Sequence, residues 1–345
     1  MQPKVKAVGM LSGGLDSTLA AKVLQMQGIE VYGLNLYTGF CITETKRRNG
    51  TYKPENYKPN EALQTGGELE VPVEIIDIAA EGYFNIIKEP KYGYGANMNP
   101  CIDCRSFMFR RAKKYMEEIG ADFVFTGEVL GQRPMSQHLR AMKIIEKESG
   151  LEGLLLRPLS AKLLDPTIPE LDGRVDREKL LAFNGRSRKP QMELAGQVGL
   201  LDYAQPAGGC CYLTDENYAR KFRELLEHEP ELDISKRDVT LLAIGRHFRL
   251  RPEVKFIIGR NEPENRALEQ ERNGEILLST APVPGPVTMV QGPATPEDLR
   301  LIAAATARYC DNKGGEVPVS VLYPDREEFL NVAPLTEEAL APMRI

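Results

Sequence analysis

Val8-Gly9-Met10-Leu11-Ser12-Gly13-Gly14-Leu15-Asp16-Ser17-Thr18 is an apolar strand that empties through a Ser-Gly-Gly turn into a helix. Such a corner turns unpaired backbone N–H groups and the positive end of a helix toward a phosphate. Gly13 and Gly14 allow the main chain to approach phosphate oxygens, and Ser12, Ser17 and Thr18 add hydroxyl donors. No Gly-Lys-Ser/Thr follows, so it is not a Walker loop, and the spacing is not that of Gly-x-Gly-x-x-Gly. Asp16 has two readings, a helix N-terminal charge or a holder of Mg²⁺ on a bound triphosphate.

Around that corner, residues 5–160 alternate strands and helices as an open parallel sheet does. Strands are expected at Val5–Leu11, Glu30–Leu36, Val73–Ile78, Asp122–Thr126 and Leu154–Leu156. Helices are expected at Ser17–Gln27, Pro59–Gly66, about Gly82–Ile87 and Cys104–Ile119, with a polar loop or insertion over Lys46–Asn60. Ligands of such sheets gather beyond the carboxyl ends of the strands. That edge holds Asn35 after strand two and the run Thr126-Gly127-Glu128-Val129-Leu130-Gly131-Gln132, so Asn35, Gly127 and Gln132 join the loop as nucleotide-site candidates.

At 345 residues, 42% hydrophobic and 27% charged, the chain suits two globular domains: 1–230, the α/β nucleotide-binding part, and 236–345, a smaller α+β part. Strands are expected there at Val239–Ile244, Lys255–Ile258, Glu275–Ser279, Val287–Val290 and Val317–Leu322, with one helix from Pro296 to Tyr309. No apolar stretch approaches the roughly 20 residues of a membrane span, and the first apolar run is too short for a signal peptide, so a cytoplasmic protein without membrane partners is expected. The net charge of −5 argues against a generally cationic surface but not against local basic patches. Between Lys236 and Arg260, seven basic residues against two acidic ones suggest a stripe for RNA phosphates, with His247 and Phe248 placed to stack on a base. Arg186, Arg188 and Lys189 form a smaller patch of the same kind.

Six cysteines in such a chain are not read as a disulfide framework. Cys101-x-x-Cys104 opens a helix close to Arg105, Arg110 and Arg111, a setting that favours thiolates. With Cys210 of Gly-Gly-Cys210-Cys211 they make a three-cysteine iron–sulfur set with one open coordination position. A zinc site of Cys101, Cys104, Cys210 and Cys211, or persulfide chemistry without metal, fits the same residues. Cys41 and Cys310 read as buried apolar residues.

Ser-Gly-Gly-x-Asp-Ser resembles the PP-loop of the ATP pyrophosphatase superfamily, whose members split ATP into AMP and pyrophosphate to activate an oxygen. Cys104-Arg105-Ser106-Phe107-Met108-Phe109-Arg110-Arg111-Ala112 and the Thr126–Gln132 loop resemble the catalytic domain of the tRNA 4-thiouridine synthases. Met10–Thr18, with Gly28 before strand two, is also similar to the tRNA 2-thiouridylases. The resemblance covers about residues 5–225. It implies an enzyme that adenylates a uridine carbonyl of tRNA with ATP and Mg²⁺ and then displaces AMP with sulfur, supplied by a desulfurase or inorganic sulfide. In that scheme Asp16, Cys101, Cys104 and Cys210 are catalytic, and the three cysteines hold a [4Fe–4S] cluster.

The amino-terminal RNA-binding region and the carboxy-terminal rhodanese module of 4-thiouridine synthases are not evident, and the domain from about 236 stands in the latter's place. Its runs Ile258–Asn265 and Pro284–Val287 are faintly similar to the RNA-binding domain of ribosome-quality-control fibronectin-binding-like proteins. Two other functions compete: a zinc-bearing ligase of the 7-cyano-7-deazaguanine synthase kind, and a non-catalytic nucleotide-sensing RNA-binding protein.

Overall fold

The computed structural model describes residues 4–42, 60–200, 203, 211–280, 283–311 and 314–345. The Lys46–Asn60 segment, but for Asn60, lies outside the described residues, as does Cys210. The chain divides into two compact units, Met1–Thr38 with Lys58–Gly209 and Gly39–Tyr57 with Cys210–Ile345.

The first unit runs β1 (Lys6–Met10), α1 (Leu15–Gln25), β2 (Glu30–Tyr37), α2 (Glu61–Leu69), β3 (Val73–Asp77), a five-residue π turn (Ala79–Tyr83) and α3 (Phe84–Lys88). It continues with α4 (Cys101–Glu118), β4 (Phe123–Thr126), α5 (Leu139–Ser149), β5 (Leu155–Leu156), α6 (Ile168–Leu171) and α7 (Lys189–Gln197). The five strands are parallel, in the order β3-β2-β1-β4-β5. Chain order reverses between β1 and β4, and the carboxyl ends of strands flanking such a switch point bound a ligand crevice. Ala7, Val8, Leu34, Phe123 and Phe125 are fully buried, because central parallel strands are covered on both faces. Leu19, Ala20 and Leu24 of α1 pack with Ala7, Phe123 and Phe125, which fixes the helix that follows the Ser-Gly-Gly corner.

The second unit holds α8 (Glu216–His228), α9 (Lys236–Ala243), β6 (Arg246–Arg251), β7 (Val254–Ile258), α10 (Glu262–Gln270), β8 (Ile276–Thr280) and β9 (Val287–Gln291). After these come α11 (Pro296–Ala307), β10 (Val317–Leu322), β11 (Glu327–Val332) and α12 (Glu337–Leu340). Its sheet is antiparallel, in the order β11-β10-β8-β9-β7-β6. Ile302 and Ala303 of α11 pack with Phe256, Leu278, Val290 and Val319. The outermost strand, β11, is exposed apart from Leu330 and Val332.

Residues 239–244, expected as a strand, lie largely in helix α9. Ser235 Oγ accepts from Asp238 N and the Asp238 carboxylate accepts from Ser235 N, a reciprocal cap that starts a helix. Val239 and Leu242, three apart, then bury one face. The division at Gly209 and Cys210 also assigns α8 to the second unit, where Phe222 and Tyr218 pack on Phe40 with ring centroids 6.0 and 6.2 Å away. The sequence reading does not anticipate α5, α10, β6 or β11.

Candidate nucleotide and thiol site

The corner after β1 is held by its own hydroxyls. Ser17 Oγ donates to Gly14 O (2.9 Å), lies 3.3 Å from Ser12 Oγ and accepts from Ser12 N. Thr18 Oγ1 donates to Gly14 O and faces Thr65 Oγ1 at 3.3 Å, so this hydroxyl is buried and directed inward. Ser12 is exposed at the mouth of the loop. Gly13 has φ +75°, and a Cβ there would stand 2.2 Å from Glu61 Cβ at the start of α2. Left-handed backbone and close packing together require glycine. Asn35 Nδ2 donates to Leu11 O (2.7 Å) and so fastens the end of β2 to the end of β1.

Asp16, in the first turn of α1, joins this corner to the loop after β4. Its Oδ2 accepts from Gln132 Nε2 at 3.0 Å and lies 3.9 Å from Arg188 Nη2. Its Oδ1 is buried and has no hydrogen-bond partner among the described residues. Gly127 makes the closest approach, since a Cβ there would lie 2.4 Å from Asp16 C and Ser17 N. The fold brings Gly127, Gln132 and Asp16 together and adds Arg188, which the sequence placed in a basic patch with Arg186 and Lys189. Arg188 stands ahead of α7, and only the return of that segment to α1 brings it to Asp16.

Cys101 and Cys104 occupy the first turn of α4, partly exposed, behind Pro100. The Asp103 carboxylate accepts from Lys91 N and Tyr92 N, which fixes the preceding loop. Tyr83 Oη lies 3.0 Å from Cys104 Sγ, a partner that sequence spacing did not reveal. Each of the three arginines near the thiols has a partner on another segment. Arg110 donates to Glu148 O, and Arg111 pairs with Glu81 at 3.5 Å and with Glu118. Arg105 pairs with Glu128 at 3.3 Å. Glu128, 2% exposed, also holds Arg157, equally buried, at 3.1 Å, and Arg157 reaches Glu146. Helical spacing sends residues 105, 110 and 111 to different neighbours. Through Arg105 and Glu128, the cysteine helix is tied to the loop whose Gly127 abuts Asp16.

Among the described residues, no group of three or more His, Cys, Asp and Glu side chains converges as metal ligands. Cys101 and Cys104 supply two thiols, a set that closes neither a zinc site nor a cluster by itself. Cys41 and Cys310 are partly exposed rather than buried, and Cys41 pairs with Cys211 in an isolated antiparallel bridge of the second unit.

In the second unit, five of the seven basic residues of the stripe form ion pairs. Lys255, 3% exposed, bonds to Glu224 at 3.0 Å, and Arg249 shares that carboxylate. Arg251 pairs with Asp298, Arg237 with Glu275 and Arg260 with Glu264. His247 is buried, its Nε2 facing Leu241 O at 3.1 Å and Ile244 O at 2.8 Å. Burial pushes its pKa well below the usual value, so the imidazole is neutral. Phe248 is fully buried and stacks on Phe256 with centroids 5.0 Å apart. Neither ring is available to a base. As neighbours on β6 they face opposite sides of the sheet, His247 toward the carbonyls of Leu241 and Ile244 and Phe248 into the cluster that holds Ile302 and Ala303 of α11.

Residues 5–149 match the family model described as the tRNA methyl transferase HUP domain, and residues 245–343 match the NFACT protein RNA binding domain. A tRNA-specific 2-thiouridylase of Psychromonas ingrahamii is 24% identical over 66% of this chain and 58% of its own. A probable tRNA sulfurtransferase of Thermococcus kodakarensis is 30% identical over 45% of this chain and 36% of its own. A 4-thiouridine synthetase solved with RNA and ATP is 20% identical, with TM-score 0.38 over 68% of this chain and 53% of its own. The chain spans 58% of the length of the first curated relatives that it matches. Among the described residues no helix is long and apolar enough to cross a membrane. The likeness to the PP-loop tRNA thiouridine synthases, carried by Ser12–Ser17, Cys104–Ala112 and Thr126–Gln132, is borne out by these relatives.

Proposed function

We propose that the protein is an ATP-dependent tRNA sulfurtransferase that adenylates a uridine carbonyl, at O2 or O4, and replaces that oxygen with sulfur. The supporting observation is the tie from Arg105 through Glu128 and Gly127 to Asp16, which links a cysteine-bearing helix to a phosphate-type corner at the switch point of a parallel sheet. The curated relatives, named for tRNA thiolation, support the same reading.

The glycine corner and the first turn of α1 bind the β and γ phosphates, with Ser12 as the exposed hydroxyl donor. Asp16 Oδ1, buried and without a hydrogen-bond partner among the described residues, would hold Mg²⁺ on the triphosphate. Gln132 orients that carboxylate, and Arg188 adds positive charge beside it. Charge neutralisation and positioning are what phosphoryl and nucleotidyl transfer demand of a protein. The uridine oxygen attacks the α-phosphorus, pyrophosphate leaves, and AMP becomes the leaving group that sulfur displaces. Cys101 and Cys104, in the first turn of α4, would be two of the thiols that hold a [4Fe–4S] cluster, and by sequence alone Cys210 is the candidate third. Bound there, a cluster with an open iron would supply soft, labile sulfur. The second unit grips RNA, in keeping with its match to an RNA-binding domain.

The test is α-labelled ATP incubated with the protein and a tRNA transcript. AMP, pyrophosphate and thiouridine in the digested RNA are expected, with thiouridine lost in Cys104→Ala. ADP as product would overturn the reading. Zinc without iron in anaerobically purified protein would favour a ligase of the 7-cyano-7-deazaguanine synthase kind.

A further inference from the structure

The loop from α3 to α4, with Pro90-Lys91-Tyr92-Gly93-Tyr94-Gly95 at its head, delivers the chain to the two thiols of α4. It shows two rings to solvent, Tyr92 at 38% and Tyr94 at 40% exposed, yet neither is loose. Tyr92 Oη donates to Glu148 Oε1 over 2.7 Å, and Tyr94 Oη donates to Ile87 O over 2.7 Å. The backbone is strapped as well, since Lys91 N and Tyr92 N both donate to Asp103, the residue just ahead of Cys104. Met135, from the loop that follows β4, lies against Gly95, where a Cβ would stand 2.7 Å from its Cε, and it too is exposed. Single exposed apolar residues are ordinary surface. Anchored rings grouped beside a candidate site are different, because they give up little freedom when a flat partner settles on them.

Positive charge adjoins this group. On α5, Arg140, Lys143 and Lys147 are exposed at positions i, i+3 and i+7 of one helix face. Lys143 faces Asp165 at 3.1 Å, an exposed pair that weighs little. The two acids of α5 are taken up, Glu146 by Arg157 and Glu148 by Lys91 and Tyr92. Exposed Arg110 donates to Glu148 O at the end of the same helix. Glu148 therefore joins the tyrosine loop to a cationic helix face. An unpaired nucleotide has the complementary parts, a π face for the rings and a phosphate for the cations.

We propose that Tyr92, Tyr94 and Met135 form a platform on which an unpaired base of the RNA stacks, while the cationic face of α5 takes phosphates of the flanking strand. That the occupant is RNA rests on the proposed function. The surface lies wholly within the first unit, at the loop that leads into Cys101 and Cys104, and acts in addition to any RNA contact of the second unit.

The test is binding of a fluorescent, unmodified tRNA transcript to the full chain without ATP, across a range of salt concentrations. Tyr92→Phe and Tyr92→Leu both lose the hydroxyl tie and differ in the ring alone, and the same holds for Tyr94→Phe and Tyr94→Leu. Each leucine variant should bind about tenfold more weakly than its phenylalanine counterpart, the size of one lost base–aromatic stack. Arg140→Gln and Lys147→Gln should each reduce the slope of log affinity against log salt by about one. Equal affinity of the leucine and phenylalanine variants would overturn the platform, and the face would then suit a protein partner. Unchanged salt slopes would overturn the phosphate track. Because binding needs no turnover, ring-dependent affinity in a protein whose parent forms no thiouridine would fell the proposed reaction and leave this surface standing. Equal thiouridine formation by leucine and phenylalanine variants at limiting tRNA would fell the surface alone.

Discussion

Gln132 Nε2 donates to Asp16 Oδ2 over 3.0 Å, so the loop after β4 anchors one oxygen of a carboxylate whose other oxygen is buried and unpartnered among the described residues. Asp16→Asn preserves the shape and removes the charge. ATP–pyrophosphate exchange should fall about a hundredfold, as when one preorganised electrostatic contact is lost. Gln132→Ala, which only frees the carboxylate, should lose less. Exchange kinetics of both variants decide this, and parent-like activity in Asp16→Asn would remove Asp16 from the site.

Gly127 tests the close approach of the same two segments. An alanine Cβ would meet main-chain atoms of Asp16 and Ser17 at 2.4 Å, and backbone yields poorly. Gly127→Ala should destabilise by about 1–3 kcal/mol, the usual cost of overpacking, and weaken nucleotide binding. Gly67→Ala in α2, where nothing stands within 4 Å of the new methyl, should not lower the melting temperature.

Glu128 lies between Arg105 and Arg157 with almost no exposure. Glu128→Gln strips the carboxylate from a buried guanidinium, a loss on the order of 3–5 kcal/mol. Urea unfolding should show it, with little relief from added salt because the pair is shielded from mobile ions. A change below about 1 kcal/mol would show that the network is dispensable.

Buried bases contribute to the pH response of the second unit, His247 and Lys221 among them. His247 stays neutral in the fold, whereas the unfolded chain takes up a proton below its ordinary value of 6.5. The fold is therefore favoured above about pH 6.5 and loses that advantage as pH falls below it. Lys221 donates to Leu242 O and Gly245 O, and burial, aided by Arg260, pushes its pKa down to about 8. The unfolded chain keeps that proton up to about 10.5, so stability rises from about pH 8 toward 10.5. Melting temperatures should thus climb across both windows. His247→Gln should flatten the lower rise and Lys221→Met the upper; unchanged slopes would contradict these assignments.

The nucleotide corner was legible because its chemistry is local: strand, two glycines, hydroxyls and an acid within eleven residues. The loop at Thr126–Gln132 was legible because parallel sheets present their ligand edge at strand ends. Arg188 and Tyr83 were not, since each reaches its partner from far along the chain and no spacing rule records that return. Residues 239–244 misled because Val-Thr-Leu-Leu-Ala-Ile has strand propensity, while the deciding signal was the reciprocal cap of Ser235 and Asp238. The pairing of the basic residues of 236–260 was not legible, because charge counted along a sequence does not disclose Glu224, Glu264, Glu275 and Asp298, which meet them only in the fold.

At one rim of the antiparallel sheet, β11 turns a strand flank outward, the kind of surface along which separate molecules weld into aggregates. Glu327 and Glu328, the latter paired with Arg326, sit on that strand beside an exposed Phe329, and charges on an edge strand hinder its pairing with another copy. Replacing both with glutamine should strip the guard away, and turbidity would then appear in concentrated samples even while the core of the sheet endures.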